Sequence, residues 1–118
     1  MAKVLVLVLA GTENHEGLGR LVNALEVAKE LKGSGDEVSI IFDGAGTEGL
    51  ASLSDPNHRA HGLLKAVEDR IAGACQHCAR AFGVDGALQP RGVNLLGEFE
   101  GHPSVRKFLA AGYQVLSF

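Results

Sequence analysis

Apolar and polar positions follow two rhythms along this chain, and the switches between them mark its elements. Val4 to Ala10 is continuously apolar and β-branched at every second position, as suits a strand covered on both faces in the middle of a parallel sheet. After the polar loop Gly11 to Gly17, residues Leu18, Leu21, Val22, Leu25, Ala28 and Leu31 recur at helical spacings, which gathers them on one side of a helix. Gly33-Ser34-Gly35 stops that helix, and Glu37 to Phe42, EVSIIF, reads as a second strand. Strand, helix and strand in that order form a βαβ unit whose crossover is right-handed.

The second half is less regular. Gly44 to Leu53 is glycine-rich and is expected to be irregular, with no more than one short helical turn. Asp55-Pro56 has the form of a helix start, with Asp as N-cap and Pro in the first turn; the helix is expected to run to about Arg70 and to bury Ala60, Leu63, Leu64 and Val67. Ile71 to Ala74, IAGA, is a third strand of small residues, which let neighbouring backbone come close. Cys75 opens the next helix. VNLLGEF is compatible with strand or loop, Pro103 starts a last helix with Val105, Phe108 and Leu109 turned inward, and YQVLSF closes the chain as a strand. The alternation predicts one α/β domain over residues 1–118, three-layered α/β/α around a mainly parallel open sheet of about five strands.

Composition narrows the partners. At 118 residues the chain hides roughly two-thirds of its unfolded surface, so its two cysteines are not needed as staples. A formal charge of −3 with no Lys/Arg cluster gives no footprint for nucleic acid or an anionic membrane surface, and leaves proteins and small molecules as expected partners. No apolar run approaches the roughly 20 residues of a bilayer span. VLVLVLA has the length of a short signal core, but removing it would delete the strongest strand, and a single C-x-x-C is not the disulfide framework of a secreted domain. The expected location is the cytoplasm.

In an open parallel sheet, chemistry collects at the carboxyl ends of the strands. Three loops leave strands there: Gly11 to Gly17, Asp43 to Gly49, and the turn into Cys75. Gly44, Gly46 and Gly49 spell G-x-G-x-x-G, but a dinucleotide site needs a long helix after the third glycine, and Ser54-Asp55-Pro56 interrupts it. No cofactor is therefore expected. His58 and His61 (H-x2-H) with Cys75 and Cys78 (C-x2-C) would make a zinc-type set. On a helix buried through Ala60, Leu63, Leu64 and Val67, however, both histidines turn to solvent, and no metal site is expected.

The cysteines are left. Free cysteine is among the most buried residue types, and Cys78 shares a helical face with Ala79 and Phe82, which suits a core position. Cys75 is different, because a thiol at a helix start meets unpaired N–H groups and the positive end of the dipole, which favour the thiolate. Cys75 is the expected nucleophile, helped by the backbone N–H groups of Gln76 and His77, with Asn14 or His15 of the first loop facing the same edge. A thioredoxin-like redox pair also carries C-x-x-C at a helix start, but here a whole βαβ unit and a second long helix precede it.

With a reactive cysteine after the third strand of a small α/β domain, the sequence resembles the DsrE/DsrF/TusD-like (YchN-like) sulfur relay superfamily. The matching features are an apolar strand ending in Cys75, Gly83-Val84 eight residues later, the GDEVSIIFDG second strand and the terminal GYQVLSF. The resemblance implies a three-layer α/β domain assembling as dimer, trimer or hexamer. It also implies that Cys75 accepts sulfane sulfur as a persulfide from a donor protein or small thiol and hands it to an acceptor. Two features depart from that pattern: His77 and Cys78 within the motif, and the insertion-like GEFEGHPSVRKF before the last strand. Two other readings stay open, a thiol-disulfide protein cycling Cys75 with Cys78, and a non-catalytic oligomeric ligand-binding protein.

Overall fold

The computed structural model describes all 118 residues, Met1–Phe118. Its strands are β1 Lys3–Val8, β2 Glu37–Phe42, β3 Ile71–Cys75, β4 Leu95–Leu96 and β5 Gln114–Ser117, joined in one sheet of order β4-β3-β2-β1-β5. Every pairing is parallel. The helices are α1 His15–Gly33, α2 Gly46–Leu53, α3 His61–Val67, α4 Gln76–Ala81, α5 Asp85–Leu88 and α6 Val105–Ala110. No helix is long and apolar enough to cross a membrane.

Strand order and handedness together make this a lopsided three-layer α/β/α sandwich. From β1 to β4 the chain steps across the sheet in one direction, so right-handed crossovers stack α1 to α5 on one face. The return from β4 to β5 runs the other way and carries α6 to the opposite face. Burial follows suit. One core unites Val4, Val6 and Val8 of β1 and Val38, Ile40 and Phe42 of β2 with side chains from α1 to α5, and it contains none from α6. Leu5, Ile41 and Cys75, also fully buried, lie outside this core and point to the α6 side. Each large side chain buried in the main core contributes about 1.5–3 kcal/mol.

Both faces of β1 are covered, as its unbroken apolar run requires, although the strand ends at Val8 and not Ala10. Asn14 caps α1 by accepting the Gly17 N–H at 2.7 Å. The segment expected to be irregular is a two-turn helix, α2, with Leu50 and Leu53 buried. Its glycines serve packing: a Cβ on Gly46 would collide with the Val8 carbonyl oxygen, and one on Gly49 would sit 3.2 Å from that of Ala10. The G-x-G-x-x-G spacing is therefore where a helix lies close against the end of β1.

Asp55-Pro56 starts no helix. Asp55 accepts the Asn57 N–H at 2.9 Å, a local turn that competes with helix, and α3 begins only at His61. The last helix starts at Val105 with Ser104 as cap, and Leu109, expected inside, is exposed. Between Ile40 and Ile41 the pairing of β2 with β3 slips by one residue, since Ile40 faces Ile71 but Ile41 faces Gly73.

Candidate functional site

Beyond that slip, Phe42 pairs with Ala74, so Asp43 and Cys75 leave adjacent strands side by side at the carboxyl edge. Cys75 ends β3 and caps α4, and its Sγ accepts the Cys78 N–H at 3.4 Å. Two groups of the loop 97–104 close over it: His102 Nδ1 at 3.4 Å and the Gly101 carbonyl oxygen at 3.9 Å. One donor atom each from Asp43, Cys75, Cys78 and His102 lies within 4.8 Å of the others. Cys75 is fully buried, its three companions are partly so, and both cysteines are free thiols.

The loop is built to present His102. Phe99 and His102 exchange backbone bonds of 2.9 and 2.8 Å around Glu100 and Gly101, whose φ values of 53° and 85° give the left-handed pair of a type I′ turn. The His77 N–H donates to the Gly101 carbonyl at 2.9 Å, and the His77 ring packs against that of His102 with centroids 4.8 Å apart. The Gln76 side chain lies against Gly97, where a Cβ would collide with it. On the far side, Lys107 of α6 pairs with Glu98 at 2.6 Å and holds its carboxyl below the usual carboxylate range.

Several sequence expectations change here. Burial pushes the Cys75 thiol up to about 12; the Cys78 N–H opposes the rise and the Asp43 carboxylate adds to it. The resting residue is therefore a neutral thiol, because removal from water outweighs the help of a six-residue helix. The His77 N–H is taken by Gly101 and does not reach the sulfur, so His77 helps to place the loop, and the Gln76 side chain packs against that loop at Gly97. Asn14 is occupied as a helix cap. His15 is outside the cysteine cluster and lines a groove of about 600 Å³ with Val22, Glu26, Arg59 and Leu63, between α1 and the start of α3. Cys78 is half-buried at the site, not in the main core.

His58 and His61 stay away from the cysteines, His58 accepting the Ala60 N–H at 3.0 Å and His61 Nδ1 lying 2.8 Å from the Leu53 carbonyl oxygen. The cluster's actual imidazole and carboxylate, His102 and Asp43, were not foreseen. Asp43 had a visible signal as the first polar residue after an apolar strand, in a loop on the right edge. His102 had none, lying 27 residues from Cys75 in the segment that reads as an insertion.

Fold and site thus define a parallel-sheet α/β protein with a buried thiol held in a Cys-His-Asp cluster. The chain is 30% identical over 104 residues, 88% of this chain and 84% of the other, to the uncharacterized protein MJ0733 of Methanocaldococcus jannaschii, and it belongs to the same family. The conserved protein of unknown function BT1422 from Bacteroides thetaiotaomicron has a similar fold, with a TM-score of 0.67 at 20% identity over 98% of this chain and 95% of that one. No family model matches the sequence.

Proposed function

We propose that the protein carries sulfane sulfur on Cys75, as a DsrE-like sulfur relay protein of the cytoplasm. The observation that supports this most is the 3.4 Å approach of His102 Nδ1 to Cys75 Sγ. A neutral buried thiol is a poor nucleophile and resists adventitious oxidation; an imidazole in contact with it accepts its proton when a donor arrives. The sulfur of Cys75 then attacks the terminal sulfur of a donor persulfide, the donor's S–S bond breaks, and the donor leaves as its thiolate. The Cys78 N–H, which points at Cys75 Sγ, helps to hold the charge that develops there. In the second half-reaction an acceptor thiolate takes the terminal sulfur and Cys75 is regenerated, with no net oxidation.

Donor and acceptor are small thiols or proteins. Phe82 and Phe99, at 44% and 64% exposure on the elements that flank the thiol, offer apolar surface to such a partner or to a second copy of the chain in a dimer, trimer or hexamer. The test is intact and peptide mass spectrometry of reduced, metal-free protein after incubation with a persulfide donor. One added sulfur on Cys75, lost in Cys75→Ser and slowed in His102→Ala, is expected; no added sulfur on a Cys75 that still alkylates would end the proposal.

A thiol-disulfide role is the second reading, favoured by two free thiols whose sulfurs lie within 4.8 Å. A defined redox midpoint, abolished by Cys78→Ser, distinguishes it from sulfur carriage, which that variant retains.

A further inference from the structure

The four groups at the end of β3 have the composition of a metal centre: two sulfurs, one imidazole nitrogen and one carboxylate oxygen. We propose that Asp43, Cys75, Cys78 and His102 bind one divalent ion of the zinc class. A tetrahedral ion about 2.3 Å from sulfur and 2.0–2.1 Å from nitrogen separates those two ligands by about 3.5 Å. Cys75 Sγ and His102 Nδ1 already stand 3.4 Å apart. Tetrahedral edges between such ligands reach about 3.8 Å, so a set contained within 4.8 Å closes on an ion by side-chain adjustments of about 1 Å.

The surroundings suit an ion as well. Two thiolates and a carboxylate carry three negative charges, which a divalent ion reduces to one, and the Cys78 N–H donating to Cys75 Sγ offsets part of the rest. The His77 ring steadies that of His102, leaving Nε2 on the side away from the ion. Mixed sulfur, nitrogen and oxygen donors in a four-coordinate set select zinc over magnesium or calcium, which take oxygen. The ligands come from the ends of β2 and β3, the start of α4 and the loop 97–104, so the ion would pin the loop to the sheet edge.

This inference needs only the four donor atoms and is independent of sulfur carriage, although ion and persulfide would exclude each other on Cys75. Its test is titration of the reduced, metal-free full chain with Co²⁺, followed by Zn²⁺. The expected result is one Co²⁺ per chain with a thiolate-to-cobalt charge-transfer band and intense tetrahedral d–d bands, all bleached by one equivalent of Zn²⁺. His102→Ala and Asp43→Asn, each with native circular dichroism, should weaken Zn²⁺ binding by at least about tenfold. A weak octahedral cobalt spectrum without charge transfer, or undiminished binding after Cys75→Ser and Cys78→Ser, would overturn the proposal. Cobalt uptake without sulfur uptake by the metal-free protein supports the ion site and defeats only sulfur carriage, and sulfur uptake with an octahedral cobalt spectrum does the reverse.

Discussion

The two faces of the sheet are built by opposite rules. Toward α1–α5 the strands present Val4, Val6, Val8, Ile40 and Phe42 to five helices, in one apolar core assembled from five elements beside the sheet. Toward α6 they present Leu5, Ile41 and Cys75 to a six-residue helix and a loop, and the groups gathered round the thiol are polar. The first face carries the stability of the fold, and the second uses that rigidity to hold four reactive groups together. The candidate site thus lies where the cover is thinnest.

That contrast predicts a graded set of outcomes. The largest effect belongs to the helix-covered face: Leu25→Ala should cost about 3 kcal/mol in urea denaturation, through lost transfer energy and a cavity. Cys75→Ala should cost only about 1 kcal/mol while abolishing the proposed sulfur and metal binding. Equal losses from the two would erase the distinction. Next comes Gly73→Ala, because a Cβ there would strike the Asn94 carbonyl oxygen and lie 2.9 Å from Leu96 Cγ, driving β4 off β3. A loss of about 1–3 kcal/mol is expected, with faster hydrogen exchange at the Ala74 N–H that bonds Asn94.

The third prediction concerns pH. The Cys75 thiol rises from an ordinary 9.0 to about 12 in the fold, so its contribution to stability is fully present below about 9 and is lost as pH climbs toward 12. At pH 8 the folded protein should hold on the order of a thousandfold less Cys75 thiolate than the unfolded chain, read as slower alkylation of Cys75 in the folded protein than in the urea-unfolded chain. Similar rates for the two would mean that Cys75 is not sealed. The smallest effect is at the surface: Lys107→Ala breaks the exposed pair with Glu98 and should cost no more than about 1 kcal/mol in urea denaturation. Because Lys107 lowers the Glu98 pKa, that contribution is present above the ordinary carboxylate value and is lost as pH falls from there through the lowered folded-state value.

The first half of the chain was legible because α1 and its flanking strands are long enough for their periodicity to outweigh local noise. α2 was not. Glycine lowers helix propensity, and the reason for Gly46 and Gly49, close contact with the end of β1, exists only in the folded protein. The position of Cys75 at a strand end and helix start was readable; its protonation state was not, because the helix end is local whereas burial comes from a loop more than 20 residues away. His102 illustrates the same limit, since topology alone brings the last crossover back over the thiol.

The slip between β2 and β3 acts as a change of phase within one strand. Along an unbroken strand Ile71 and Cys75, four residues apart, would point the same way, and a change in one would be felt by the other. The extra residue, Ala72, sends Ile71 toward the helices and Cys75 toward the loop. Five residues thus hold two separate tasks: the anchor can change size without turning the thiol, and the thiol's surroundings can be rebuilt without loosening the anchor.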